Sequence, residues 1–285
     1  MIRLVLCDMD GTLLPFGHQE VSARTLAAIE ALRRAGIGFG PASGRELEDV
    51  MGFFGKGSVT IENGILANGK YVLAGGEVVY RRELDRHALQ KVVDYAASQR
   101  DCGLVTHGPT RSDGSAERLL LGASAEEAAG MRTSEGGRVD VTLAPELPDC
   151  PILTVGFLCS GSTTRFAEVR QELAVAAPEL DFVSPAPGFL DVMPRGWNKG
   201  TALDLLLEAL GLATDEVAFF GDSENDLALM RRLPNSVCVE NGSDEAKRTA
   251  SFHIARDLDD APARVMEVIA RSGGDLAIPD EVSRD

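Results

Sequence analysis

Near its N-terminus the chain reads Leu4-Val5-Leu6-Cys7-Asp8-Met9-Asp10-Gly11-Thr12, with two carboxylates one residue apart directly after an apolar run. Held close in partly dry surroundings, such charges repel, and at least one pKa rises unless a cation or a hydrogen bond compensates. The pair is therefore either an ordinary acidic turn or one edge of a site built around a cation. A second acidic stretch, Gly221-Asp222-Ser223-Glu224-Asn225-Asp226, also follows an apolar run, Val217-Ala218-Phe219-Phe220. If both runs are strands of one parallel sheet, Asp8, Asp10 and Asp222 converge at the carboxyl ends of the strands, where such sheets place their ligands. Clustered carboxylate oxygens suit Mg2+, a hard cation that keeps part of its hydration shell.

Two further residues fit an anion at the same edge. Ser43 ends a predicted strand just before Gly44, offering a hydroxyl and exposed backbone N–H groups where a loop enters a helix. Lys199 opens a helix and supplies a compact positive charge. A carboxylate nucleophile, a second carboxylate to move protons, a divalent cation, a hydroxyl and an ammonium together meet the needs of phosphoryl transfer through an aspartyl-phosphate.

The elements that must position these residues follow from patterning. Residues 2–8 are too short and too apolar for anything but a buried strand. Ser22 can cap a helix whose apolar positions Leu26, Ile29 and Leu32 recur at helical spacing, and Gly36 ends it. A second strand stops near Ser43 and a second helix starts near Glu46, so strand and helix alternate as in a parallel sheet with right-handed crossovers. Residues 59–80 alternate instead, with Asn63-Gly64 and Asn68-Gly69 as hairpin-turn signals. The region 80–188 then reads as a separate α+β insert, containing a helix around Leu84–Val93, a strand over 152–159 and a helix over 164–176. From Phe189 the α/β rhythm returns: strand 189–194, helix 198–210, strand 216–220, helix 226–232, strand 236–240 and a closing helix 258–271. The predicted organisation is a doubly wound α/β core over 1–79 and 189–285, its parallel sheet covered by helices on both faces, and an inserted α+β domain over 80–188.

Bulk composition narrows the function classes. A formal charge of −16 argues against a nucleic-acid partner, whose binding rests on Lys and Arg neutralising phosphates. It also requires that any attraction for an anionic substrate be local, through a metal and a few placed cations. No apolar run approaches the roughly 18 residues of a membrane span, and Asp8 and Asp10 interrupt any signal-peptide core; the expectation is a cytoplasmic protein with no membrane partner. The five cysteines are odd in number and lack CxxC spacing, which reads as reduced, buried thiols rather than a disulfide framework or zinc site. The four histidines are scattered without metal-ligand spacing. Between residues 80 and 187 eleven Lys and Arg face sixteen Asp and Glu, so the insert offers no basic platform for a polyanionic leaving group, although Arg81, Arg111 and Arg118 could reach a substrate. Trp197, next to the Lys199 helix, is expected to pack where the insert rejoins the core.

Taken in order, Asp8-Met9-Asp10-Gly11-Thr12, the strand end at Ser43, Lys199 and Gly221–Asp226 resemble the four motifs of the haloacid dehalogenase superfamily. Glu62-Asn63-Gly64, the insert of about a hundred residues and the Pro194–Gly200 approach to Lys199 resemble its Cof-like hydrolase and sugar-phosphatase branch, whose cap is of the C2 type. The resemblance implies a Rossmann-like core with a mobile cap, and a Mg2+-dependent phosphomonoester hydrolase acting on small phosphorylated metabolites, with sugar phosphates as the expected class. By motif, Asp8 would be the nucleophile and Asp10 the general acid and base. Mg2+ would be held by the Asp8 side chain, the Asp10 backbone carbonyl and Asp222. Ser43 and Lys199 would grip the transferring phosphoryl group, with Met9, Gly44, Arg45 and Asn225 contributing to substrate binding and Asp226 supporting Lys199 and the metal's outer shell. The protein would act as a monomer or small homo-oligomer. A phosphomutase of the same superfamily, and a phosphate- or Mg2+-binding regulator without turnover, remain as alternatives.

Overall fold

A computed structural model describes residues 1–55, 59–110, 116–130 and 141–284; Arg111 lies outside them. The chain begins with β1 (Leu4–Cys7), α1 (Ala23–Arg34), β2 (Gly38–Pro41) and α2 (Leu47–Phe53), then forms β3 (Gly64–Leu66), β4 (Tyr71–Ala74) and β5 (Glu77–Arg81). Next come α3 (Arg86–Ala97), β6 (Cys102–Thr110), β7 (Ala116–Leu121), α4 (Ala125–Gly130), β8 (Thr142–Leu143), β9 (Val155–Cys159), α5 (Thr163–Ala176), β10 (Leu180–Ala186) and β11 (Phe189–Pro194). The last stretch holds α6 (Lys199–Leu210), β12 (Val217–Gly221), α7 (Leu227–Met230), β13 (Asn235–Val239), α8 (Asp244–Thr249), β14 (Phe252–Ile254) and α9 (Ala261–Ser272). Among the described residues no helix is long and apolar enough to cross a membrane. The chain divides into two compact units, Met1–Arg81 with Asn198–Asp285, and Arg82–Trp197.

The first unit is an α/β layer structure around a five-stranded sheet of order β14-β13-β12-β1-β2. All four pairings are parallel. A parallel sheet must be covered on both faces, so its strands are apolar throughout rather than alternating, and every residue of β1 and β12 is buried. Val5, Cys7, Ala218, Phe220, Val237 and Val239 share one cluster with Ala28, Ile29 and Leu32 of α1 and Val265, Met266 and Ile269 of α9. Each Leu, Val or Ile buried there stabilises the fold by about 1.5–3 kcal/mol. Alternation along the strands turns Leu4, Leu6, Val217 and Phe219, equally buried, toward the other face. Helix α1 starts where the Ser22 hydroxyl accepts from the Thr25 N–H at 3.0 Å, the expected N-cap.

The three-stranded sheet β3-β4-β5 belongs to this unit. Asn68-Gly69 does fall between β3 and β4, but Asn63-Gly64 is not a turn. Gly64 opens β3, Asn63 Oδ1 accepts from the Gly75 N–H at 3.0 Å, and the second turn lies at Gly75-Gly76, between β4 and β5. A short helix, α8, and the edge strand β14 also lie where patterning alone gave no element.

The second unit carries its own sheet, of order β10-β11-β9-β6-β7-β8, antiparallel except for β7 with β8. Its core joins Leu89, Val92 and Ala96 of α3 and Val169 and Leu173 of α5 to Cys102, Leu104, Phe157, Leu190 and Val192 of the strands. The strand 189–194, expected to resume the parallel core, is instead β11, paired antiparallel between β10 and β9. Its hydrogen-bonding partners are its neighbours in sequence, so the second boundary falls at 197/198 rather than 188/189, and the first moves to 81/82 because β5 runs on to Arg81. Trp197 lies at that boundary with the Arg82 guanidinium 5.6 Å from its ring centroid.

Candidate active site

The parallel ladder continues one residue past β1, the Asp8 N–H donating to Phe220 O at 2.8 Å. The chain then turns sharply: the Met9 carbonyl accepts from the N–H groups of Thr12, Leu13 and Leu14 at 3.2, 3.0 and 2.8 Å. Gly11 makes this turn possible. It sits at φ +80°, and a Cβ there would fall 3.0 Å from Asp222 Oδ2 and 2.8 Å from the Phe16 ring, so a side chain would be both strained and obstructed. The turn brings the Thr12 hydroxyl to Asp222, donating to Oδ1 at 2.9 Å across 210 residues of sequence.

On the neighbouring strand, Asp222 follows β12 and the chain winds into a single 3-10 turn, Glu224–Asp226. Asp226 Oδ2 accepts from the backbone N–H groups of Asp222 and Ser223 at 2.9 and 3.2 Å. Only a glycine at 221 admits this: a Cβ there would meet Asp226 Oδ2 at 2.7 Å. Lys199 is the first residue of α6, fixed by reciprocal hydrogen bonds between Asn198 and Thr201 of 3.0 and 2.9 Å, a capping box. Its fully buried ammonium donates to Asp8 Oδ1 and Asp226 Oδ1, both at 2.7 Å.

Asp8, Asp222 and Asp226 thus bring carboxylate oxygens within 4.8 Å of one another, all three residues buried. Burial pushes the Asp8 carboxyl up to about 8; Lys199 pulls it down, and the charges of Asp226 and Asp10 add to the rise. Asp222 lies well above the ordinary carboxylate value, again through burial first and then through Asp8 and Asp226, with the Thr12 hydrogen bond and Lys199 opposing. Burial works against the Lys199 charge, but Asp226 and Asp8 outweigh it and raise its pKa. Three buried carboxylates share one ammonium, a charge deficit that desolvation makes expensive.

The donor set fits a hard divalent cation: all oxygen, too negative by itself, and at the strand ends. Asp226 spends both oxygens on Lys199 and backbone N–H groups, which makes it the residue that holds Lys199 and the 222–226 turn in place. Asp8 and Asp222 hydrogen-bond through Oδ1, and their Oδ2 atoms are the ones a cation could take.

Asp10 stands apart from this cluster. Its carboxylate is clamped by Arg45, Nε to Oδ2 at 2.6 Å and a terminal nitrogen to Oδ1 at 2.7 Å, a fork-to-fork pair with both side chains 32% exposed. Arg45 is aimed by Phe53, whose ring centroid lies 4.8 Å from the guanidinium carbon. Ser43 is buried and pinned to the β3 hairpin, its N–H donating to Ile65 O at 2.8 Å and its carbonyl accepting from Asn68 N at 2.9 Å. Its hydroxyl accepts from the Arg45 N–H at 3.2 Å. The N-cap of α2 is Glu46, so Ser43 does not cap that helix, and Gly44 links the hydroxyl to Arg45. Met9 has its side chain in the core cluster and its carbonyl in the turn, so what it can offer a ligand is its backbone N–H.

Asn225 reaches across to a residue that patterning marked only as a turn. Its Nδ2 donates to Asn68 Oδ1 at 3.1 Å, and its Oδ1 accepts from the Ser223 hydroxyl at 2.8 Å. Asn68 is buried in a left-handed conformation, φ 54° and ψ 36°, which Asn tolerates better than other residues with side chains. The Asn-Gly dipeptide signals the turn, but nothing local signals that it faces residue 225.

The chain as a whole is similar to known proteins. The family model described as haloacid dehalogenase-like hydrolase matches residues 5–266. The chain is 29% identical over 255 residues to an HMP-PP phosphatase of Yersinia pseudotuberculosis, 87% of each chain being covered, and equally so to one of Yersinia pestis. A Streptococcus mutans protein of solved structure superimposes with a TM-score of 0.79 at 16% identity, covering 95% of this chain and 100% of that one. A sugar phosphatase of haloacid dehalogenase subclass IIB does so with a TM-score of 0.73 at 18% identity, covering 94% and 98%.

Proposed function

We propose that this chain, which belongs to the haloacid dehalogenase-like hydrolases, is a Mg2+-dependent phosphatase of small phosphorylated metabolites that works through an aspartyl-phosphate on Asp8. The observation that carries the proposal is the buried Lys199 ammonium, 2.7 Å from both Asp8 and Asp226 beside Asp222. An ammonium so placed opposes the effect of burial on Asp8 and offers positive charge where a phosphoryl group would meet the carboxylate.

Asp8 and Asp222, with the Asp10 carbonyl, are the groups that would hold Mg2+, which when bound supplies charge neutralisation for the phosphoryl oxygens. Asp8 attacks phosphorus, forming the O–P bond as the ester oxygen departs. Asp10 gives that oxygen a proton and later takes one from the water that cleaves the aspartyl-phosphate. Arg45 orients Asp10 for this work, and the Ser43 hydroxyl with the Met9 and Gly44 N–H groups receives phosphoryl oxygens. Asn225, tied to Asn68, borders the same strand ends. In this reading the inserted unit selects the leaving group.

The test is phosphate release from sugar phosphates, nucleotides and HMP-PP, the last chosen from the relatives, with and without Mg2+. Release that requires both Mg2+ and Asp8 is expected. Release that survives Asp8→Asn in folded protein would overturn the proposal, and silence across the panel from metal-loaded protein would shift weight to a mutase or to binding without turnover.

A further inference from the structure

The second unit carries a thiol pair with no place in phosphoryl transfer. Cys102 opens β6 and Cys159 ends β9, and the two are directly opposed in the antiparallel register. The next pair along, Asp101 and Ser160, is joined by Ser160 N to Asp101 O at 2.9 Å, while the Cys159 N–H turns the other way, to Gly188 O at 2.9 Å. Cys102 and Cys159 are therefore a non-hydrogen-bonded pair, the type with the shorter Cα separation, about 4.5 Å. That lies inside the roughly 4.4–6.8 Å range a disulfide spans. Their sulfurs and an Asp101 oxygen lie within 4.8 Å of one another.

The surroundings differentiate the two sulfurs. Cys102 Sγ donates to Asp101 Oδ1 at 3.4 Å and Cys159 Sγ to Asp101 Oδ2 at 4.0 Å. The neighbouring Cys102 sulfur, with the Gly161 N–H and the Arg165 charge, holds the Cys159 thiol below its ordinary pKa, against burial and Asp101. Cys102 is raised, by the neighbouring Cys159 sulfur and then by burial. Arg165 is itself anchored on Asp101 Oδ2 at 3.3 Å and on Gln99 Oε1 at 2.7 Å. The geometry sets the two sulfurs side by side on one carboxylate, which the Arg165 guanidinium also holds.

We propose that Cys102 and Cys159 are a modification site for hydroperoxides, oxidised to a cross-strand disulfide between β6 and β9. The Cys159 thiolate attacks a peroxide oxygen, breaking the O–O bond and giving a sulfenic acid and hydroxide, or an alcohol from an organic peroxide. Cys102 then attacks the sulfenic sulfur, forming S–S and expelling the second oxygen as water. The two sulfurs lose two electrons, the peroxide gains them, and the two thiol protons leave with the two oxygens. Both thiols are buried, Cys102 at 0% and Cys159 at 4% exposure, so a small oxidant is the one that fits. Arg165 on Asp101 disfavours the competing use of the cluster, capture of a thiophilic cation.

The experiment is to treat the folded, full-length protein with hydrogen peroxide and map the cysteines by non-reducing peptide mass spectrometry. Fragment spectra distinguish Cys159 from Cys150, which share a tryptic peptide. The expected result is a Cys102–Cys159 cross-link that dithiothreitol removes, formed about tenfold faster than oxidation of the more exposed Cys150. In Cys102→Ser, Cys159 is expected to stop at a sulfenic acid that dimedone traps, and Cys150→Ser should leave the cross-link unchanged. The proposal is overturned if the cross-link forms only in denaturant, if folded Cys102→Ser yields no trapped sulfenic acid, or if the thiols are masked in a way that a chelator, not a reductant, reverses.

Discussion

Two carboxylates one residue apart, Asp8 and Asp10, stand in opposite environments. Asp8 belongs to a dry cluster with Asp222, Asp226 and Lys199, each 7% exposed or less. Asp10 belongs to a half-exposed pair with Arg45. In the dry region charge is scarce on the positive side and every change alters a buried balance; at the rim the same kind of ion pair is screened and contributes little stability. The contrast suits a division of labour: a nucleophile should be fixed and desolvated, whereas a proton carrier must meet both leaving group and water.

This contrast can be broken by substitution, beginning where the largest effect is expected. Asp8→Asn should reduce turnover by roughly 10⁴-fold or more, as expected when a member of a reacting unit is lost, with an unchanged far-UV circular dichroism spectrum. Asp10→Asn should reduce kcat by about 10²–10⁴-fold and change unfolding free energy by no more than about 1 kcal/mol. If it destabilises the protein as a buried change would, rim and interior are not distinct.

Lys199→Met probes the interior directly. Removing one partner leaves Asp8 and Asp226 facing each other without it, and a loss of about 3–5 kcal/mol is expected by denaturant unfolding. Mg2+ should recover part of that loss, since a cation can replace the missing charge; no recovery would mean that the cluster does not hold one. Asp222→Asn should raise the Mg2+ activation constant while leaving the saturated rate closer to wild type than either Asp8→Asn or Asp10→Asn does. The smallest effect belongs to Arg45→Lys, which keeps the charge but loses the fork: kcat should fall by less than in Asp10→Asn, with stability unchanged within about 0.5 kcal/mol.

The sequence patterning made much of this region legible because local chemistry decided it. The run before Asp8 is too short and apolar to be a helix, Ser22 is a cap, and the strand ends place Asp8 and Asp222 on one edge once the sheet is parallel. What was hidden depends on distant partners. Thr12 meets Asp222 across 210 residues and Asn225 meets Asn68 across 157, and no periodicity carries that information. The segment 189–194 shows the same limit: a six-residue, mostly apolar stretch declares a strand but not the sheet that accepts it. Asn63-Gly64 misleads for a related reason, since the dipeptide favours a turn but β3 pairs onward from Gly64 to Leu73 of β4.

The pairing of β1 with β12 also bears on how the protein is made. On a ribosome β1 emerges before β2, which can join it soon after. Its other edge waits for Val217–Gly221, after the whole of Arg82–Trp197 has been synthesised. That intervening unit holds its own sheet and core and can be complete before the central sheet closes. Closing a loop of that length costs little more entropy than closing one half as long, so the penalty is chiefly one of time, during which a fully apolar strand keeps an open edge. Chaperone dependence should therefore track the delay between β2 and β12 and should fall in a circular permutant that begins at Asn198, where the two central strands are synthesised in close succession.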